Sequence, residues 1–154
     1  MKTNATLLLL ALCLFATAVC FASDSSIGTW KLNEAKSKFS AGAPKITKVT
    51  IAAAGDSLKV TVDGTGADGK PMHNTWTGKY DGKDYPVTGD PNTDTRSYKM
   101  TDAHSMTLTV KKGGKVVISG TIAISANGKT RTVTTTGTDP QGKKISATAV
   151  YEKQ

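Results

Sequence analysis

Few residues of this chain carry the side chains that chemistry needs. There are two arginines, Arg96 and Arg131, and two histidines, His73 and His104. A guanidinium meets a carboxylate or phosphate through two parallel hydrogen bonds, so an arginine inside a pocket is an anion-binding group. Arg96 shares the alternation parity of Tyr98 and Met100, and Arg131 that of Val133 and Thr135. If those faces point inward, either arginine can hold an anionic group. The other reading, an arginine near a strand end that reaches water, stays open. His73 falls on the face opposite Met72 and Trp76, and His104 follows Asp102 in a turn. A metal site wants several convergent ligands, and no His-x-His spacing occurs. Ser57, Ser97, Ser105 and Ser119 lack the Gly-x-Ser-x-Gly elbow of a nucleophilic serine. Asp63, Asp68, Asp81 and Asp84 read as turn formers. The stretch "DPNTD" (90–94) lacks the glycine and distal glutamate of an EF-hand. No catalytic residue, metal site or cofactor is expected.

The elements that must position these residues are strands. After Ser26 the sequence alternates apolar with Thr, Ser and Lys, punctuated by "ADGK" (67–70), "YDGK" (80–83), "KGGK" (112–115), "ANGK" (126–129) and "PQGK" (140–143). Asp-Gly, Asn-Gly and Gly-Gly suit tight hairpins because these residues tolerate positive φ. Gly114 to Gly128 and Gly128 to Gly142 are each 14 residues apart, one long strand plus one turn. That is the rhythm of an antiparallel meander. The inward faces read Val49, Ile51, Ala53; Leu58, Val60, Val62; Met72, Trp76, Tyr80; Met106, Leu108, Val110; Val116, Ile118, Ile122, Ile124; and Ile145, Ala147, Ala149, Tyr151. Gly120 reads as a bend or bulge. The stretch 33–44 reads as a connection with a helical turn and Phe39 as its buried plug, and 85–95 as a short strand and a wide loop. A meander with one apolar face hides it by closing on itself. The predicted fold is therefore all-β, a single antiparallel up-and-down β-barrel of about 8–10 strands.

The first 22 residues read differently. Lys2 precedes an apolar run from Leu7 to Phe21, and Cys20-Phe21-Ala22 offers small residues where a signal peptidase reads. The expectation is a signal peptide at 1–22 and a barrel domain at 23–154, exported to a periplasmic or extracellular space. Both cysteines, Cys13 and Cys20, lie in the leader; lipidation at Cys20 is a secondary reading, since bulky Val19 precedes it. No transmembrane segment is expected: the leader is short for a span of roughly 20 residues, and the strands carry lysines on the face opposite the apolar one, against a membrane barrel. Loss of Lys2 takes the net charge from +8 to +7. The lysines are dispersed and the aromatics look buried, which argues against nucleic acid.

"GTWKLN" (28–33), hairpin-linked strands and a terminal "AVYEKQ" (149–154) together resemble the calycin barrels, the lipocalins and fatty-acid-binding proteins. The middle, with "YDGKDYPVTG" and "NGKTRTVTTTGTDPQGK", resembles an exported bacterial lipocalin-like family of unknown function. The resemblance implies that Gly28 and Trp30 are structural and close one barrel end. It implies no carboxylate clamp: where fatty-acid-binding proteins place an arginine two residues before the terminal tyrosine, this chain has Ala149 before Tyr151.

The expected function is a binding or carrier protein for a small apolar or amphipathic ligand. Met72, Trp76, Arg96, Tyr98, Met106, Ile118, Arg131, Val133 and Tyr151 are the ligand-binding candidates. Small inward residues (Ala53, Gly120, Ala147, Ala149) favour an empty lumen, because small barrels otherwise fill with large side chains. The alternative is a secreted structural or protein-interaction barrel with a packed interior. An enzyme using the barrel as its pocket is a third reading. The sequence leaves the oligomeric state open.

Overall fold

The computed structural model describes residues 24–154, so the expected leader at 1–22 lies outside the described residues. Eleven strands follow: β1 (Gly28–Leu32), β2 (Lys38–Phe39), β3 (Lys45–Ala54), β4 (Ser57–Thr65), β5 (Pro71–Gly78), β6 (Tyr85–Thr88), β7 (Thr95–Met100), β8 (Ser105–Lys112), β9 (Lys115–Ile124), β10 (Thr130–Thr138) and β11 (Lys144–Lys153). Each strand from β3 to β11 pairs antiparallel with the next, and β1 pairs with both β3 and β11. The result is a closed up-and-down antiparallel barrel, ten strands around. Closure removes the unpaired edges an open sheet would present. The anticipated turn glycines Gly69, Gly82, Gly114, Gly128 and Gly142 all have positive φ, from 67° to 83°. None of the described helices is long and apolar enough to cross a membrane.

The seam along β11 explains the connection at 33–44. β1 pairs with Tyr151–Lys153 and β2 with Ala147–Thr148, so the two act as one interrupted strand. Between them a single 3₁₀ turn, Glu34–Lys36, bulges outward, with the Asn33 side chain accepting from the Lys36 amide. The skipped Val150 still finds partners: its carbonyl accepts from the Asn33 amide, and its amide donates to Ser37 Oγ. Backbone groups of a strand must be paired somewhere, and here side chains substitute for a ladder. Phe39, expected as a buried plug, is only partly buried and faces the lumen.

Three local expectations change. Asp63 is not a turn former. It sits within β4 on the outer face, 2.7 Å from His73 Nδ1 and 3.2 Å from Lys48 Nζ. Gly120 is not a bulge: β9 stays in register through it with both β8 and β10. A Cβ there would strike the Thr134 carbonyl, so the glycine permits close approach of the neighbouring backbone. The register shift falls instead where Val110 and Lys111 face Ile118 and Val116, leaving Val117 unpaired. That extra residue turns Val116, expected inward, out to 56% exposure.

Candidate functional site

The barrel interior has two unlike halves. At the end where β1 begins, large side chains fill the lumen and their polar atoms are engaged. Trp30 is fully buried and donates from Nε1 to the Ser26 carbonyl at 2.7 Å. The Lys153 side chain crosses β1 directly over Gly28, places its ammonium 5.1 Å from the Trp30 ring centroid and donates to the Ser25 carbonyl. Only a glycine leaves room for that crossing. Trp76 donates from Nε1 to the Arg96 carbonyl at 2.8 Å. Its ring meets Tyr98 edge-on at 4.9 Å and Tyr85 at 5.7 Å. Such aromatic pairs contribute about 0.5–1.5 kcal/mol each beyond their buried area. Met106, Ile122 and Ile124 complete this half.

The other half is built from smaller side chains and is not filled. A chamber of about 140 Å³ lies there, lined by Phe39, Ile46, Leu108, Val133, Ala147 and Tyr151 among others. Beyond it a wider vestibule of about 340 Å³ shares Pro44, Met72, Asp90, Ile118 and Ile145 with the chamber. The turns β4–β5, β6–β7, β8–β9 and β10–β11 surround this mouth. Asp90 is the acidic residue of the chamber wall. Its carboxylate caps its own turn, accepting from the Asn92 amide and Thr93 Oγ1.

Between the halves stand the two arginines. Both point inward and both are buried, Arg96 at 8% and Arg131 at 5% exposure. Arg96 donates from Nη2 to the Asn74 side-chain oxygen at 3.2 Å. Arg131 lies over the Tyr151 ring, 5.6 Å from its centroid, and its Nε is buried without a hydrogen-bond partner. Tyr151 crosses the lumen and donates to the Ile46 carbonyl at 3.2 Å, beside the β3 irregularity between Ile46 and Lys48. Burial pushes the Tyr151 phenol up to about 12, with the Arg131 charge acting the other way. Tyr80, bonded to Ser26 Oγ at 3.1 Å, is raised by burial as well. These phenols are neutral hydrogen-bonding groups at neutral pH.

Of the ligand-binding candidates, Met72, Ile118, Val133 and Tyr151 line the chamber. Trp76, Tyr98 and Met106 belong to the packed half, and Arg96 and Arg131 are buried without lining the chamber. Leu108, Val110 and Ile145 were legible by parity as inward residues, but nothing local marks them as facing empty space. Ile46, Ala43 and Pro44 carried no signal, because they lie at or before a strand irregularity. Ala53, expected inward, is exposed near the end of β3, whereas Ala147 and Ala149 do line the chamber.

The fold and this cavity define a closed antiparallel β-barrel with an open inner chamber. No protein-family description and no curated protein matches the chain. Among solved structures it is similar to a redesigned β-barrel, mFAP1, determined bound to DFHBI. The TM-score is 0.43 at 15% sequence identity, over 84% of this chain and 95% of that one.

Proposed function

We propose that this chain is an exported binding or carrier protein that holds a small apolar or amphipathic molecule inside its barrel. The observation that carries this reading is a chamber lined mostly by aliphatic and aromatic side chains, adjoined by a more polar vestibule that shares Pro44, Met72, Asp90, Ile118 and Ile145 with it. Protein interiors close-pack when nothing is meant to enter them. Concave, mostly apolar cavities with a few polar groups are the usual form of a small-molecule site. The apolar leader at 1–22 supports export, which places the protein where it can collect or deliver a molecule outside the cytoplasm.

The test is native mass spectrometry of protein isolated gently from its exporting host, compared with the denatured spectrum of the same sample. The expected result is a reproducible added mass that disappears on denaturation. A bare protein mass under both conditions, repeated after exposure to a mixture of lipids and small amphiphiles, would count against a carrier.

A further inference from the structure

Charge is distributed differently on the outer surface and around the cavity. The chain has 20 lysines and arginines against 12 acidic residues, so a carboxylate readily finds a cation. Eight of those twelve pair with a lysine among the described residues. The exceptions are Asp24, Asp90, Asp102 and Asp139. Two of these, Asp90 and Asp139, line the vestibule, and Asp90 lines the chamber as well. The lysine of the vestibule wall, Lys112, is already held by Asp94 at 2.7 Å. A chain with a net charge of +8 thus keeps two uncompensated carboxylates at the mouth of its cavity. A cleft lined by one sign of charge with apolar walls concentrates ions of the other sign.

Both carboxylates are aimed by their own turns. Asp90 accepts from the Asn92 amide and Thr93 Oγ1, and Asp139 Oδ1 accepts from the Gln141 and Lys143 amides. Amide and hydroxyl donors hold a carboxylate in place but bring no net charge to cancel its own. Asp139 Oδ2 makes no hydrogen bond among the described residues and faces Gly42, 3.5 Å from where a side chain there would begin. Arg96 and Arg131 line neither cavity, so Asp90 is the charged group that a guest in the chamber meets. The two buried guanidiniums lie on the inner side, which disfavours a cation there and favours one at the mouth. A bare metal ion does not fit the arrangement. No group of three or more acidic, histidine or cysteine side chains converges among the described residues, and hard cations want more oxygen ligands than two turns supply.

We propose that the barrel selects amphiphiles with a cationic nitrogen head, bound tail inward, with the tail in the chamber and the head in the vestibule beside Asp90 and Asp139. This rests on the carrier reading above and adds the ligand's charge and orientation to it. The tail supplies affinity by leaving water for the apolar walls. The head supplies selectivity, because Asp90 stands where the chamber meets the vestibule and a tail filling the chamber brings its head to that point. A primary ammonium and a quaternary ammonium share this chemistry. The first can also donate hydrogen bonds to the carboxylates; the second offers charge alone.

Calorimetric titration of the purified protein with octylammonium, octyltrimethylammonium, 1-octanol, octanoate and methylammonium tests this. Octylammonium should bind at least fivefold tighter than octanol, octanoate more weakly than octanol, and methylammonium, which has no tail, not measurably. Octyltrimethylammonium should stay within fivefold of octylammonium, because its bulky head remains in the wide vestibule. Its exclusion while octylammonium binds would overturn the head-outward placement. Added salt should shrink the advantage of octylammonium over octanol, since screening weakens an ionic contact near solvent; a preference unmoved by salt would overturn that contact. In the double variant Asp90→Asn, Asp139→Asn, whose side-chain oxygens still cap both turns, octylammonium should fall to the octanol level. Octanol should stay within twofold of wild type, which also shows that the variant barrel is intact. Discrimination retained there would overturn the role of the two carboxylates. Octanol or octanoate binding as tightly as octylammonium in the wild type would overturn the charge selection and leave the carrier reading standing. Methylammonium binding as tightly as octylammonium would overturn the amphiphile. Failure of all five probes to bind would overturn both readings.

Discussion

The two halves of the barrel are made by the same strands with the same alternation, yet one is packed and the other is open. β10 shows this within a few residues: Arg131 is buried against Tyr151, whereas Val133 and Thr135, next on the same face, border the chamber. β11 does likewise, running from Tyr151 through Ala149 and Ala147 to Ile145. What differs is side-chain volume and whether polar atoms find partners. In the packed half Trp30, Trp76 and Tyr98 are buried with Tyr80 and Tyr85 packed against them, and both indoles donate to backbone carbonyls. In the open half alanines, valines and leucines from facing strands are too short to meet. Stability is concentrated in the first half, and room for a guest in the second.

The largest test of that division is truncation in the packed half. Trp30→Ala should cost about 3–5 kcal/mol, as large-to-small core substitutions do, and urea unfolding reads the loss. Val133→Ala, beside the chamber, should cost less than half as much, because the lost methyl groups already border empty space. Equal costs would erase the distinction between the halves.

Arg131→Met should raise the stability of the ligand-free protein by about 1 kcal/mol. An apolar side chain of similar length replaces a buried charge, and such exchanges are commonly neutral or stabilising. A loss of stability larger than that in the same denaturation experiment would mean the guanidinium is already compensated.

Ala147→Leu puts new methyl groups into the open half. In a filled core such an insertion costs about 1–3 kcal/mol; here the change in unfolding free energy should stay below about 1 kcal/mol, while the added mass seen in native spectra is lost. A strongly destabilised variant would show that the chamber closes in solution.

The smallest effect belongs to the outer surface. Asp94 is held below the ordinary carboxylate range, first by the Gly113 amide at 2.6 Å and then by Lys112 at 2.7 Å. A depressed folded-state value means the carboxylate favours the folded protein above its unfolded value near pH 4 and ceases to do so as pH falls through the folded value. Thermal unfolding of Asp94→Asn against wild type should therefore show a small gap at pH 7 that narrows below about pH 4. A gap of constant size down to pH 2 would show that the charge is not its source. Neither result would touch the interior.

Much of this architecture could be read one residue at a time. Val49 and Ile51, Val60 and Trp76, Met106 and Ile122 all sit on the face their parity assigns them. The misreadings came where one residue breaks that parity or where the neighbour across the sheet matters. Val116 turned outward because Val117 is unpaired. Gly120 bends nothing, and its lack of a side chain serves Thr134 on the next strand. Asp63 looked like a turn residue until β4 placed it beside His73 and Lys48. The candidate site was legible in part: parity put Arg131 on the face of Val133 but left open whether it reached water, and could not show that its Nε lacks a partner.

By itself the sequence determined the all-β class, the turns and the inward face, because a strand's period of two and a glycine's tolerance of positive φ are properties of adjacent residues. Only the tertiary structure decided where the interior is full and where it is empty. Packing there depends on whether side chains from β3, β5, β8, β10 and β11, far apart along the chain, are long enough to touch across the lumen. The same holds for Arg131: a charge is recognised as uncompensated only once every group that could reach it has been placed.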